Sequence, residues 1–382
     1  MAAKKPKVLV GMSGGVDSSV AAALLLEAGY EVIGAFMKNW SDCAWREDRR
    51  DAMRVAAKLG IEFYTFDFEQ AYRDEVVENM YREYEAGRTP NPDVMCNRYI
   101  KFDKFLKKAD ELGCDFIATG HYARIDCPHQ KDDGRGKFGA GENCRILSGV
   151  DSNKDQTYFL WAVPKEAMAR ALFPVGEMTK PEVRAKAEKL GLSTAAKKDS
   201  QGICFIGEVD LMEFLKERIK PDPGSIVDTE GRKLGEHEGL AYYTIGQRHG
   251  LEVGGGTPYY VVAKRPETKE LVVSSNYHPE LYEGDLEATE LNWFVDLCSG
   301  TLQGSSAGRL KPSSTCEFDC EARIRYRQPL QKCHVEFESP LGALSGKGPK
   351  GHSNTVRVTF KNPQRAVTPG QSIVFYQGDQ ML

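Results

Sequence analysis

Lys7-Val8-Leu9-Val10-Gly11-Met12-Ser13-Gly14-Gly15-Val16-Asp17-Ser18-Ser19 joins an apolar run to the alanine- and leucine-rich stretch from Ala21 to Leu26. The order reads as strand, glycine turn, helix. Such a turn presents bare backbone N–H groups and the positive end of a helix, which suit a phosphate or pyrophosphate. No Lys-Ser/Thr follows the glycines, so the loop is not of the Walker type. It is not Gly-x-Gly-x-x-Gly either, which argues against a dinucleotide fold. What remains is the pattern of enzymes that split ATP between its α and β phosphates and adenylate a substrate. An ordinary turn of small residues is the plainer reading. The conjunction of Gly14, Gly15, Asp17, Ser18 and Ser19 at one helix start tells against it.

Outward from this loop the chain alternates strand and helix. Strands are expected at residues 31–37, 61–68 and 115–119, and helices at 48–59, 69–86 and 98–112, the last capped by Asn97 or a neighbour. The loop Arg88-Thr89-Pro90-Asn91-Pro92-Asp93 carries two prolines that forbid helix. This order predicts a doubly wound, mostly parallel α/β sheet. Ligands in such sheets bind beyond the carboxyl ends of strands, so Met12 and Ser13, Met37 and Gly120 should converge. Further helices are expected at 179–190 and 208–219. After Pro221-Asp222-Pro223-Gly224 short β-like segments separated by turn residues take over, predicting an antiparallel β-barrel. Polar glycine-rich loops interrupt the chain at 127–143, 299–314 and 341–354.

At 382 residues the chain predicts two or three domains, and 41% hydrophobic residues suffice for their cores. A net charge of −4 gives no global basic field, so any nucleic-acid contact must be local. No stretch is long and apolar enough to cross a membrane, and no apolar signal region precedes the first strand, which predicts a cytoplasmic protein. In that reducing compartment the ten cysteines are expected as buried thiols, with a few reactive ones, rather than as a disulfide framework.

Two cysteines stand out. Cys96 is expected at or just before a helix N-terminus, where the dipole favours a thiolate, with Asp93 three residues upstream to exchange a proton. Cys204 follows Lys197, Lys198 and Gly202, a setting of nearby cations and a hinge; a cysteine opening a buried strand fits equally well. No Cys-x-x-Cys pair exists and Cys316 and Cys320 lack partners, so no protein-held metal is expected. On a strand, Arg323, Arg325 and Arg327 would share one face opposite Tyr326. Lys347, Lys350, Arg357, Lys361 and Arg365 extend the basic character, as a phosphate-contacting surface requires; a solvated barrel face is the alternative. Residues 151–156 read first as a helix-capping segment, and His121 as a core or sheet-edge residue.

Together these motifs resemble the tRNA-specific 2-thiouridylase family of the bacterial MnmA type over nearly the whole chain. The resemblance rests on residues 11–18, Phe36-Met37-Lys38-Asn39-Trp40, Gly87–Asp93 with Cys96-Asn97, 118–122, 151–156, 199–207, Gly246-Gln247-Arg248, Arg325-Tyr326-Arg327 and Thr368-Pro369-Gly370-Gln371. It implies three domains: an ATP-pyrophosphatase (PP-loop) domain at 1–207, a small central adaptor at 208–256 and a C-terminal β-barrel at 257–382 that contacts tRNA. It further implies ATP with Mg²⁺, bound by Gly11, Met12, Ser13, Gly14, Gly15, Val16, Asp17, Ser18, Met37 and Gly120, and adenylation of the 2-carbonyl oxygen of the wobble uridine in tRNAs for Lys, Glu and Gln. Sulfur would arrive from a sulfur-relay donor protein as a persulfide on Cys204. Cys96 would free it as sulfide or otherwise assist, leaving a Cys96–Cys204 disulfide, with Asp93 as acid/base. Asn91, Pro92 and Asp93 would meet the target base, and Lys154, Asp155, Gln156, Arg325 and Tyr326 the tRNA. Another adenylating ligase with the same loop, or a non-catalytic RNA-binding or persulfide-carrier protein, are the competing readings.

Overall fold

The structure, a computed structural model, describes residues 5–41, 45–127, 144–199, 211–251, 253–254, 258–275, 278–295, 317–337 and 355–382. Val8, Leu9 and Val10 are fully buried, as befits a strand covered by helices on both faces. They make β1 (Lys7–Gly11) the middle of a five-stranded parallel sheet. The chain continues through α1 (Val16–Glu27), β2 (Glu31–Lys38), α2 (Trp45–Leu59) and β3 (Glu62–Asp67). Residues 69–85 form one helical run (α3) with a π-helical stretch at Arg73–Val77. Residues 92–111 form a second (α4), π-helical over Cys96–Lys104. Then follow β4 (Phe116–Ala118), the hairpin β5 (Ala123–Asp126) and β6 (Arg145–Ser148), β7 (Ala171–Leu172), α5 (Lys180–Lys189) and α6 (Leu211–Lys216). The parallel sheet has the order β3-β2-β1-β4-β7. Connections run to opposite sides of β1, so a crevice opens at the carboxyl ends of β1 and β4.

The helix α4 begins earlier than expected. Asn91 accepts a bond from the Asp93 N–H through Oδ1 (3.2 Å) and caps the helix, and Pro92 occupies its first turn. A proline there costs nothing, because that N–H has no helical acceptor. Cys96 therefore lies one turn inside the helix rather than at its start, where the dipole acts most strongly.

Beyond residue 221 a four-stranded sheet is built from β8 (Gly224–Asp228), β9 (Lys233–His237), β10 (Tyr259–Arg265) and β11 (Glu270–Ser275), in the order β10-β11-β8-β9. The division expected at 256/257 therefore falls inside one hydrogen-bonded unit, with β11 paired in parallel to β8. The remaining strands are β12 (Tyr282–Ala288), β13 (Glu317–Arg323), β14 (Gln331–Phe337), β15 (Val356–Arg365), β16 (Val374–Gln377) and β17 (Gln380–Met381). They form an antiparallel sheet that also takes in the early hairpin, through Gln380 opposite Leu147 and Met381 opposite Ile146. Cys127 and Cys144 depart from the expectation of buried thiols. The hairpin register, with Asp126 opposite Arg145, brings them together as a disulfide. No helix among the described residues is long and apolar enough to cross a membrane.

Candidate active site

The glycine loop is shaped by close approach. Gly14 has φ of +77°, and a Cβ there would lie 2.2 Å from the Asp48 carbonyl oxygen. Gly15 is the extended N-cap of α1, whose first turn is internally bonded: Ser19 Oγ donates to the Gly15 carbonyl at 2.7 Å. Ser13 N–H donates to Ser18 Oγ at 3.2 Å. The expected convergence is present. A Cβ on Gly11 would touch the Met37 methyl at 2.9 Å, and one on Gly120 would meet the Ser18 nitrogen at 2.6 Å. The first turn of α1 therefore sits against the chain leaving β4, at the sheet's switch point.

Asp17 connects this turn to a partly buried network. Lys180 Nζ lies 2.8 Å from both Asp17 carboxylate oxygens and 2.8 Å from Asp199 Oδ1. Tyr122 donates its hydroxyl to Asp17 Oδ1 at 2.7 Å. Lys154 (2.6 Å) and Arg184 (2.8 Å) complete the ring around Asp199. Burial pushes the Asp199 carboxyl up, but hydrogen bonds from Lys154 and Lys180 outweigh it and hold it at about 2. Sequence reasoning did not find Lys180 or Arg184. The available signal was a lysine in the first turn of α5, where the helix dipole disfavours a cation unless a carboxylate offsets it.

Cys96 is buried, on the same helix as Asp93. Positions three apart lie on neighbouring turns of one helix face. Burial raises the Asp93 carboxyl above its ordinary range, with Lys101 opposing. Asn97 anchors the helix, donating from Nδ2 to the Phe159 carbonyl at 3.0 Å. Cys204 lies outside the described residues, as do Lys347 and Lys350. Asp199 is the last described residue before the Cys204 segment. His121 is a core histidine: its Nδ1 meets Thr119 Oγ1 at 2.7 Å, and burial holds its imidazole well below its usual range.

The remaining expected contacts divide by burial. Asp155 is 2% exposed; its carboxylate accepts from the Gly149 and Thr157 N–H groups and pairs with Arg323 at 3.3 Å. The Gln156 side chain accepts from the Tyr122 N–H at 3.0 Å. Both polar groups thus hold the loop beside the Asp17 network. Arg323, Arg325 and Arg327 do not share a strand face, because β13 ends at Arg323 and a turn follows, with Gln328 N–H donating to the Arg325 carbonyl (3.2 Å). Arg323 is buried over the Tyr376 ring. Arg325 donates to the Arg365 carbonyl at 3.0 Å and also to that of Ala366. Arg327 is exposed over Tyr326, whose ring packs on Phe159 at 4.6 Å. Among the described residues, one group has metal-type donors: Glu317, His334 and Glu336, on β13 and β14 rather than at the glycine loop.

The chain matches three family models in succession: a tRNA methyl transferase HUP domain over residues 6–208, a tRNA methyl transferase PRC-barrel domain over 212–275, and an aminomethyltransferase β-barrel domain over 283–382. A parallel α/β nucleotide-type domain followed by two β units is the class that fold and site define. Curated relatives narrow it. The tRNA-specific 2-thiouridylase MnmA of Pseudomonas syringae pv. syringae is 49% identical, covering 98% of this chain and 92% of its own length. That of Halalkalibacterium halodurans is 46% identical, covering 100% and 95%. The chain belongs to the tRNA-specific 2-thiouridylase family of the MnmA type, a family of tRNA-uridine 2-sulfurtransferases. Among solved structures, the U34-tRNA thiolase NcsA of Methanococcus maripaludis is 20% identical over 56% of this chain and 66% of its own, with a TM-score of 0.34, too low to carry any argument.

Proposed function

We propose that this chain 2-thiolates the wobble uridine of tRNAs for Lys, Glu and Gln at the expense of ATP. The observation that carries the reading is that an adenylating-type loop is tied by ion pairs to Asp199, five residues before Cys204 in the sequence. Lys180 ties Asp17 of that loop to Asp199, at the edge of the Cys204 segment. The glycine turn and the α1 N-terminus receive the phosphates of ATP. Mg²⁺ accompanying the nucleotide would offset the charge on its phosphates, and Asp17, whose two oxygens lie 2.8 Å from Lys180 Nζ, is the carboxylate that this loop would offer it. Attack of the uridine 2-oxygen on the α-phosphate releases pyrophosphate and turns that oxygen into an AMP leaving group. A Cys204 persulfide, charged by a sulfur-relay protein, supplies the sulfur. Cys96 thiolate attacks the inner sulfur of that persulfide, the Cys96–Cys204 disulfide forms, and the released sulfide displaces AMP from C2. An external thiol must reduce the disulfide before the next turnover.

Asp93, raised by burial, holds a proton for exchange beside Cys96. Asn91 and Pro92 border the target base, and Lys154, Arg325 and Tyr326 lie toward the tRNA. Asp155 and Gln156 act indirectly, by fixing the loop they occupy. The test is incubation with ATP, a persulfide donor and unmodified tRNA, followed by nucleoside mass spectrometry. Cys204→Ser should abolish 2-thiouridine while leaving tRNA-dependent pyrophosphate release. Undiminished sulfur incorporation by Cys204→Ser would refute its role, and absence of pyrophosphate release with every cognate tRNA would favour a non-catalytic carrier.

A further inference from the structure

The loop entering the catalytic helix is poor in its own hydrogen bonding. Pro90 and Pro92 have no N–H, so the carbonyls of Thr89 and Pro90 must take donors from elsewhere. They take them from the barrel. Gln371 Nε2 lies 2.7 Å from the Thr89 oxygen and 3.3 Å from the Pro90 oxygen. The Thr89 N–H donates back to the Pro369 carbonyl at 2.8 Å. Gly370 between them has φ of +91°, and a Cβ there would lie 2.9 Å from both the Arg88 Cβ and the Thr89 nitrogen. The two backbones therefore approach as closely as only glycine permits. The central unit also holds this loop, through Thr244 in the connection between β9 and β10 and Lys264 on β10. Thr244 Oγ1 meets Thr89 Oγ1 at 3.1 Å, and Lys264 Nζ donates to the Gly87 carbonyl at 3.2 Å.

We propose that Gln371, acting with the Pro369 carbonyl, is a positioning residue for the reacting helix: it fixes Thr89 and Pro90, and through them the Asn91 cap, Asp93 and Cys96. The proposal rests on the reading of Cys96 and Asp93 as reacting groups. It assigns the barrel a part in the chemistry beyond holding RNA. The segment bearing Gln371 is itself gripped by Arg325, which donates to the carbonyls of Arg365 and Ala366, and Thr368 Oγ1 donates to the Ala366 carbonyl at 2.9 Å. A residue on the side expected to meet tRNA thus grips the short strap, residues 365–371, that carries the residue fixing the catalytic loop.

The test is Gln371→Met, which keeps length and apolar stem but removes the donor, in the full-length protein. Its first readout needs no activity: the rate of iodoacetamide labelling at each thiol, followed by peptide mass spectrometry. Cys96 labelling should rise about 5-fold or more through local loosening, while Cys114, Cys320 and Cys333, buried elsewhere, stay at wild-type rates. The second readout splits the reaction: 2-thiouridine formation should fall about 10- to 100-fold, as expected for a misplaced nucleophile, with tRNA-dependent pyrophosphate release falling less, through Asn91 and Pro92 at the target base. Cys96 labelling at the wild-type rate, or equal acceleration at Cys96, Cys114, Cys320 and Cys333, overturns the proposal. If the wild-type protein forms no 2-thiouridine, the functional reading fails, and the labelling pattern still decides whether Gln371 positions the helix.

Discussion

Replacing Lys180 by methionine removes the cation that pairs with both Asp17 and Asp199 while keeping the side chain's apolar stem. Lys180 is 11% exposed in its side chain, and its two partners are 30% and 23% exposed. Breaking a fully buried pair costs about 3–5 kcal/mol, because the remaining charges are left in low dielectric. The partial exposure of both carboxylates places this case near the lower end, at about 3 kcal/mol. For a domain of about 200 residues that lowers the thermal midpoint by roughly 6–12 °C. The pH dependence gives an independent check. Asp199 is held at about 2 against an ordinary 3.8 by Lys154 and Lys180 together, so Lys180 carries only part of the about 2 kcal/mol to which that difference corresponds. A depressed carboxyl stabilises above its unfolded value and loses that contribution as pH falls through its folded value. The gap between wild type and Lys180→Met should therefore be full near pH 7 and close progressively below about pH 4. Scanning calorimetry at several pH values measures it, and nucleotide titration should show weakened ATP binding because Asp17 loses its orienting partner. A midpoint shift under about 2 °C at pH 7, or one that persists undiminished in acid, would refute the argument that this partly buried network is electrostatic.

Gly14→Ala should abolish ATP binding without unfolding the barrel, since its Cβ would lie 2.2 Å from the Asp48 carbonyl oxygen; separate unfolding transitions and nucleotide titration check both parts. Asp93→Asn should gain stability relative to wild type as pH rises from 3.8 through the raised folded value, because ionising the buried carboxyl is what the fold disfavours. The gain is about 1.4 kcal/mol for each tenfold by which burial weakens the acid, and denaturant midpoints at acid and neutral pH report it. Arg327→Ala, at an exposed site, should weaken tRNA binding and reduce the salt slope by about 1 with ATP affinity unchanged. Arg323→Ala should instead destabilise the barrel by about 3 kcal/mol, since it strands the buried Asp155 carboxylate.

The parallel sheet, the glycine turn at its switch point and the later β units were legible from local pattern. An unbroken apolar run, a turn of glycines and a change from helical to short β segments are properties of neighbouring residues. The start of α4 was misread for an equally local reason: a proline forbids helix in the interior but not in the first turn, and only the Asn91 cap decides between the two. Long-range pairing was not legible. Nothing near Arg323 announces that its strand ends there and that its charge is taken up by Asp155, far away in the chain. The early hairpin β5–β6 gives no sign that it completes a sheet with the last strand β17.

The chemistry therefore divides along the same line. Residues 13–19 and the cysteine motifs point, by their own backbone and side-chain chemistry, to a phosphate-holding loop and a presented thiol. Which carboxylate meets Lys180, and which donors hold the proline loop before Cys96, depend on segments distant in sequence. Those choices are made by packing, since a buried carbonyl or carboxylate must find its partner wherever the fold brings one.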